Sequence, residues 1–149
     1  MKTAKSFTLV LMLIFATTSV LWSQDANEKA RTQTPKADKS LIFVVRPSAA
    51  AFAVRLPVDV DDKPIATLGA HDFGFITLDP GKHTFKVVNG TSKANLFELS
   101  TEPGKAYYLE VEMKMGAITA RGVLKAITEE EGKKFLKKCG VAGNNQEKL

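Results

Sequence analysis

The stretch from Phe73 to Val88 constrains the fold of this chain more than any other part of the sequence. Side chains alternate in character on both sides of Asp79-Pro80-Gly81, as in two β-strands joined by a tight turn. Proline presets φ at the first central turn position, and glycine accepts a positive φ at the second. The stretch therefore predicts a β-hairpin, and with it a small antiparallel β-domain.

Other short runs with strand character are separated by turn residues along residues 40–127. They are Leu41–Arg46, Val54–Val60, Ile65–Leu68, Asn95–Ser100, Tyr107–Met115 and Ile118–Ile127. The first is continuously apolar, as expected for a strand covered on both faces. Pro57 interrupts the second, which indicates an edge strand or a bulge. The pattern predicts a mainly β fold, an antiparallel β-sandwich of about 7–8 short strands.

One helix, over residues 128–139, is predicted to close the domain at residue 140. Thr128 is a good N-cap, and Glu131 three residues later completes a capping box. Gly140 is a suitable stop signal. The stripe that would dock on the sheet comprises Phe135, Leu136 and Cys139. The sandwich and its helix thus occupy residues 40–140.

The N-terminal residues 1–24 have the pattern of a secretory signal peptide. Lys2 and Lys5 precede an uncharged run from Phe7 to Trp22, and the first acidic residue is Asp25. We therefore expect an exported protein, periplasmic or extracellular. The alternative is an uncleaved membrane anchor, although the run is slightly shorter than the roughly 20 residues needed to span a bilayer.

Two polar segments flank the predicted domain. Residues 25–39 contain no aliphatic side chain larger than alanine, which predicts a flexible linker. Residues 141–149 are predicted to form a disordered tail. Removal of the leader, with its two lysines, lowers the formal net charge from +5 to +3. This modest charge, without an Arg-rich or aromatic-interleaved run, argues against a nucleic-acid partner.

The candidate contact surface lies on the polar face of the strand Tyr107–Met115. Alternation places its members together on that face: Tyr108, Glu110, Glu112 and Lys114. An exposed aromatic side chain among charges can mark an interface. The preferred interpretation of Tyr108 itself is that it covers an edge or packs under the helix, with its hydroxyl group in water.

The titratable residues do not form a recognisable catalytic or metal-binding motif. His71 and His83 are the only histidines, and both are interpreted as structural or solvent-exposed. Asp59, Asp61 and Asp62 could offer oxygen ligands to calcium, but a solvated turn is the preferred interpretation. We predict no catalytic residue, metal ligand or cofactor site. The chain also lacks a nucleophile elbow, a phosphate-binding glycine loop and a Cys-x-x-Cys pair.

Cys139 is the single cysteine, so it cannot form a disulfide within one chain. We interpret it as a small apolar residue of the helix. An intermolecular disulfide or a reactive thiol is the alternative.

A series of short motifs resembles a bacterial family of exported proteins, domain-of-unknown-function family 2846. The motifs are Arg46-Pro47, Val58–Lys63, Asp79–His83, Gly104–Tyr108, Met113–Gly116 and Glu130–Gly132. The resemblance covers Lys39 to Cys139. Asp79–His83 also looks like the short surface β-modules named for a Pro-Glu-Gly-Ala motif. The chain departs from the family at Asp62, where glycine is usual, and in lacking the lipid-attachment cysteine of many members.

This resemblance implies an immunoglobulin- or transthyretin-like sandwich in the cell envelope, and it implies no known activity. We therefore expect a non-catalytic module that contacts another envelope protein. One alternative is a carbohydrate- or peptidoglycan-associated module that uses exposed Tyr108 or Phe97. Another is a small-ligand or metal-dependent enzyme whose site forms only in three dimensions. A membrane partner is expected only if the leader is uncleaved.

Overall fold

A computed structural model describes residues 25–88, 95–115, 120–143 and 145. The predicted signal peptide lies outside these residues. The strands are β1 (Ser40–Arg46), β2 (Leu56–Val60), β3 (Lys63–Leu68), β4 (Asp72–Leu78), β5 (Gly81–Val87), β6 (Asn95–Thr101), β7 (Ala106–Met115), β8 (Ala120–Ile127) and β9 (Gly140–Val141). Helical residues 25–31 form α1, and Glu129–Leu136 form α2. The predicted mainly β fold with a C-terminal helix is confirmed.

The strands form two stacked sheets. The five-stranded sheet has the order β8-β7-β1-β4-β9, and the four-stranded sheet has the order β3-β2-β5-β6. Most neighbouring strands are antiparallel, but β1 pairs with β7, and β4 with β9, in parallel. We call the end of the sandwich where β1 begins, at Ser40, the basal end. The end where β1 stops, at Arg46 beside Asp72, is the apical end.

Strand β1 lies at the centre of the molecule and is buried on both faces, as its apolar run predicts. Ile42 and Val44 face the four-stranded sheet within the core between the sheets. Phe43 and Val45 point the other way, into a second core beneath the helices. Strand β1 therefore contributes to two cores at once. Full burial of each such side chain stabilises the fold by about 1.5–3 kcal/mol.

The predicted hairpin between Phe73 and Val88 is wrong, although both of its strands exist. Strand β4 pairs with β1, whereas β5 pairs with β2 and β6 in the other sheet. Asp79-Pro80-Gly81 is therefore a corner that carries the chain between the sheets at the basal end. Gly81 has φ +145°, as a glycine turn allows. Alternation and turn chemistry are the same for a hairpin and for such a corner, so the local sequence does not distinguish them.

The hairpin that does form here joins β2 and β3 through Asp61 and Asp62. Both residues have positive φ, +48° and +61°, which is the backbone of a type I′ turn. The register shifts between Val58 and Asp59, so the predicted bulge near Pro57 is confirmed. The alternative of an edge strand is wrong, because β2 lies between β3 and β5.

The predicted capping box of α2 is confirmed. The Thr128 side chain accepts a hydrogen bond from the Glu131 backbone N–H, and the Glu131 carboxylate accepts one from the Thr128 N–H. The helix ends at Leu136, three residues before the predicted end. Gly132 lies directly against the ring of Tyr108, so a side chain at this position would collide with the aromatic ring.

Residues 25–39 differ from the predicted flexible linker, because α1 is packed on the domain. Ala30 is fully buried, and the Asn27 side chain accepts a 2.7 Å hydrogen bond from the Val141 N–H. The Arg31 guanidinium donates to the carbonyls of Leu136 and Cys139. The segment lacks large aliphatic residues, and polar contacts with backbone groups secure it instead.

The predicted disordered tail also differs from the structure in its described part. Val141 pairs with β4, and both Val141 and Ala142 are buried. The amide of Asn145 exchanges two hydrogen bonds with the backbone of Phe75. These bonds imitate the pairing of another strand and cover part of the edge of β4.

Candidate functional site

Tyr108, the aromatic member of the candidate contact surface, is buried in the structure. Tyr108 is only 6% exposed and stacks on Phe43, with ring centroids 5.3 Å apart. The possible contact role of Tyr108 requires an exposed ring, whereas the ring packs under α2, as the preferred interpretation expects. The cause is α2, which covers this face of β7 through Gly132.

The two glutamates of that surface lie near lysines, Glu110 closest to Lys125 of the neighbouring strand. Lys125 on β8 lies 3.2 Å from Glu110 and 4.0 Å from Glu112, and Lys114 lies 4.0 Å from Glu112. Phe97, suggested for glycan stacking, is half-buried against the core between the sheets. An exposed aromatic platform is therefore absent at both Tyr108 and Phe97.

A different group of side chains converges at the basal end, in a cleft of about 340 Å³ that we call the basal cleft. Strands β2, β3, β4 and β5 supply most of its walls. The lining residues are Lys39, Val60, Asp61, Lys63, Ile76, Thr77, Leu78, Asp79 and His83. The corner at Asp79-Pro80-Gly81 creates this site, because it brings the basal ends of the two sheets together.

His83 holds the two sides of the cleft together through both ring nitrogens. Nδ1 lies 2.6 Å from the Asp61 carboxylate, and Nε2 lies 2.8 Å from the Asp79 carbonyl oxygen. A carbonyl oxygen and an ionised carboxylate can only accept, so both nitrogens donate and the ring is protonated in this arrangement. Burial alone would lower the pKa of His83, but these bonds and the two aspartate charges outweigh it and raise the pKa above 6.5.

The Asp61 carboxylate accepts a second hydrogen bond besides the one from His83. This bond comes from the Thr84 N–H at 2.9 Å, while the Asp61 N–H donates to the Thr84 carbonyl. The hydrogen bond from His83, followed by that from Thr84, lowers the pKa of Asp61. The type I′ turn is thereby fastened to β5, with the carboxylate directed toward His83.

A second ion pair, Lys39 with Asp79, closes the outer side of the cleft. The hydrogen bond and charge of Asp79 raise the pKa of Lys39, and those of Lys39 lower the pKa of Asp79. Beneath this pair, the hydroxyls of Ser40 and Thr101 hydrogen bond to each other at 3.1 Å. Most charged groups of the cleft are thus engaged with other groups of the protein.

Lys63 differs from these paired residues. It is exposed at the start of β3, and within the described part of the chain no carboxylate lies within 4 Å of its amine. At longer range its charge adds to the hydrogen bonds of His83 and Lys39 that lower the pKa of Asp61 and of Asp79. Val60, Ile76 and Leu78 supply apolar surface to the same cleft. The arrangement offers a ligand one cation beside an apolar wall.

The comparisons with known proteins agree with the resemblance read from the motifs. The family model described as protein of unknown function (DUF2846) matches residues 36–123. The chain belongs to this family. An uncharacterized protein of Haemophilus influenzae is 26% identical over 133 residues, which is 89% of this chain and 79% of that protein. The family match includes every residue that lines the basal cleft and stops before α2.

Asp59, Asp61 and Asp62, considered above as calcium ligands, lie close to basic side chains of the protein itself. Lys86 lies 3.6 Å from Asp59 and 3.2 Å from Asp62, while Asp61 is engaged by His83. Over the described ranges, no group of three or more His, Cys, Asp and Glu side chains has a metal-binding arrangement. The same residues instead connect the β2–β3 turn to β5.

Cys139 is 1% exposed and lies just after α2, with Sγ 3.9 Å from the Arg46 carbonyl. Burial, together with the charge of Asp72, raises the pKa of its thiol to about 11. The interpretation as a structural apolar residue fits this environment, since thiolate chemistry requires a lower pKa and access.

The basal cleft is not visible in the sequence because the residues that pair in it are distant along the chain. Asp61 and His83 are 22 residues apart, and Lys39 and Asp79 are 40 apart. A first usable signal was Asp61, which occupies a turn position with positive φ, a conformation that costs an aspartate some energy. A second signal was His83, two residues after Gly81 of the corner.

Proposed function

We propose that this protein is an exported, non-catalytic binding module of the cell envelope, and that the basal cleft holds a segment of another envelope protein. The observation that carries the proposal is the double engagement of His83 within a preformed cleft. A doubly donating imidazolium has no lone pair with which to remove a proton, so it is a poor general base. It is instead suited to holding two walls of a binding site in place.

The lining suggests the chemistry of the bound segment. Val60, Ile76 and Leu78 favour an apolar side chain, and Lys63 favours a neighbouring carboxylate. Because the other charges of the cleft are already paired, a ligand would displace few existing contacts. We infer that the segment combines an apolar residue with an acidic side chain or a terminal carboxylate.

Export is supported by the leader alone. The leader matches a secretory signal, with Lys2 and Lys5 before an uncharged run from Phe7 to Trp22. Within the part of the chain that the structure describes, no helix has the length and apolar character required to cross a membrane. Fractionation of the native host, with N-terminal sequencing of the protein from the envelope fraction, tests export and processing together. Recovery only from the cytoplasm with Met1 intact would contradict the proposal.

Binding is tested by crosslinking in a native envelope extract, followed by mass-spectrometric identification. Lys63→Glu reverses the free cation of the cleft, and His83→Gln removes its central support. Lys134→Glu, on an exposed face of α2, makes the same charge change outside the cleft and serves as the matched control.

The expected result is one dominant, salt-resistant protein that the native chain and Lys134→Glu capture, and that Lys63→Glu loses. An identical set of partners for Lys63→Glu and Lys134→Glu would refute the role of the cleft. Retention on purified wall polymer, without a protein partner, would favour the glycan alternative instead.

A further inference from the structure

Among the described residues, the large apolar side chains that remain exposed all lie toward one end of the sandwich. They are Phe52 (78% exposed), Val54 (39%), Leu96 (67%) and Met115 (75%). Single exposed apolar residues are ordinary on a protein surface, so the informative observation is that these share one end of the fold. Their positions in the strand registers show that all of them lie at the apical end.

The strand registers place each of these residues toward the apical end. Phe52 and Val54 belong to the loop that follows β1 at Arg46. Met115 ends β7, which runs parallel to β1 and continues five residues past the Val45↔Glu110 pair. Leu96 is at the start of β6, where the neighbouring Asn95 side chain donates to the Gly122 carbonyl opposite Met113. The charged basal cleft occupies the opposite end of the sandwich.

The loop that carries Phe52 is held in a defined shape. Residues 47–54 contain no charged side chain. The Arg46 guanidinium, fully buried at the foot of the loop, donates to the carbonyls of Ala50, Ala51, Val54 and Leu68. Ala51 also has φ +51°, an unfavourable conformation for alanine that the surrounding bonds must maintain. The fold thus preorganises a loop whose tip presents Phe52 to solvent.

Exposed basic side chains accompany these apolar tips. Arg55 follows the loop, while Lys114 and Arg121 lie directly opposite each other on β7 and β8, beside Met115. Like charges in opposed positions destabilise a strand pair unless an anion lies near them. Glu112 approaches Lys114 only to 4.0 Å, and Asp72 at this end is engaged by the Gly69 N–H.

The N-terminal part of the described chain also lies at the apical end. The Asn27 side chain binds the N–H of Val141, which pairs with Phe73 near the end of β1. The residues immediately before α1 include the uncharged run from Phe7 to Trp22. A leader retained in the membrane would therefore join the domain on the side of the apolar tips.

We propose that the apical end binds an anionic lipid surface, with Phe52 and Met115 inserted among the acyl chains and Arg55, Lys114 and Arg121 at the headgroups. Apolar tips surrounded by basic side chains fit the bilayer interface, where apolar burial and attraction to acidic lipids add together. The opposite placement of the basal cleft would leave it open to a partner away from the membrane.

The test uses tryptophan fluorescence of the full chain on vesicles of phosphatidylglycerol and phosphatidylcholine. Trp22 is the only tryptophan, so Trp22→Phe provides a silent background. Phe52→Trp then places a reporter at the apical tip. Lys82→Trp places a matched reporter on an exposed position of β5 near the basal end. Lipids brominated on their acyl chains quench only an inserted indole.

We expect blue-shifted emission and strong quenching for Phe52→Trp, and neither for Lys82→Trp. Adding Arg121→Gln or Arg55→Gln should weaken the vesicle association reported by Phe52→Trp about five-fold each, from about 1 kcal/mol per basic residue near an acidic surface. Equal quenching of the two reporters, or equal association with purely neutral vesicles, would overturn the proposal. An unquenched Phe52→Trp reporter would overturn it as well and assign the apical end to a protein partner.

Discussion

His83 and Asp61 form a charge pair whose contribution to stability depends on pH. The pKa of His83 is raised in the folded protein, so its contribution is complete below the unfolded value near 6.5 and is lost as pH rises through the folded value. The pKa of Asp61 is lowered, so its contribution is present above 3.8 and is lost as pH falls through the folded value. The pair therefore stabilises the fold most between these two limits.

We predict that His83→Gln lowers the free energy of unfolding by about 1 kcal/mol at pH 6, the usual scale of a lost hydrogen bond. Its effect should diminish above the raised pKa of His83, where the native ring has already lost its proton. Urea unfolding between pH 5 and 9 measures both points. A constant difference between native chain and variant across this range would contradict the protonated assignment.

Gly132 illustrates how packing can reverse a local preference. Alanine favours a helix over glycine by about 1 kcal/mol, so propensity alone predicts that Gly132→Ala stabilises α2. The new Cβ, however, would lie 2.2 Å from a ring carbon of Tyr108. We predict a net loss of about 1–3 kcal/mol in chemical unfolding, typical of an overfilled core.

Lys134→Ala on the exposed face of α2 is the control for Gly132→Ala, and it should change stability by less than about 0.5 kcal/mol. Combining Gly132→Ala with Tyr108→Leu should recover part of the loss, because contacting residues are not additive. A stabilised Gly132→Ala variant would show that α2 does not press on Tyr108.

Among the elements, the β2–β3 turn contains two adjacent aspartates, Asp61 and Asp62, that have different roles. Both have positive φ, but only Asp61 binds His83 and Thr84. Asp62 is almost fully exposed, and its surface pair with Lys86 contributes little to stability. We predict that Asp62→Gly raises the free energy of unfolding by about 0.5 kcal/mol, since relief of the left-handed backbone exceeds the added chain entropy.

Asp61→Gly relieves the same backbone conformation and is the matched comparison. It should nevertheless destabilise the protein by about 1–2 kcal/mol, because it removes two charge-assisted hydrogen bonds. Thermal and urea unfolding of the two variants would give opposite signs. The same sign for both would mean that the Asp61 contacts do not secure the turn.

At the scale of the whole molecule, α1 is part of the domain rather than a spacer before it. Asn27→Ala would leave the Val141 N–H without its partner, and Arg31→Ala would remove two bonds to the C-terminal end of α2. We predict losses of about 1–2 kcal/mol for each variant in urea unfolding. Lys29→Ala, whose exposed pair with Asp25 contributes little, should behave like the native chain.

The two ends of the sandwich also differ in character. Paired charges surround the basal cleft, whereas apolar tips and basic side chains occupy the apical end. The two ends differ because different loops lie at each: the loop after β1 is at the apical end, and the corner after β4 is at the basal end. This arrangement places the proposed protein-binding site and the proposed lipid-binding surface at opposite ends of one small domain.

The features that depend on neighbouring residues could be predicted from the sequence: the mainly β class, the central buried strand, the bulge near Pro57 and the capping box at Thr128. These follow from side-chain period, backbone φ and bonds within a few residues. The division of Phe73–Val88 between two sheets, the covering of Tyr108 and the contact of Asp61 with His83 depend on the three-dimensional fold. Strand partners and covered faces are chosen by packing between segments distant in the chain, and local periodicity is the same for each choice.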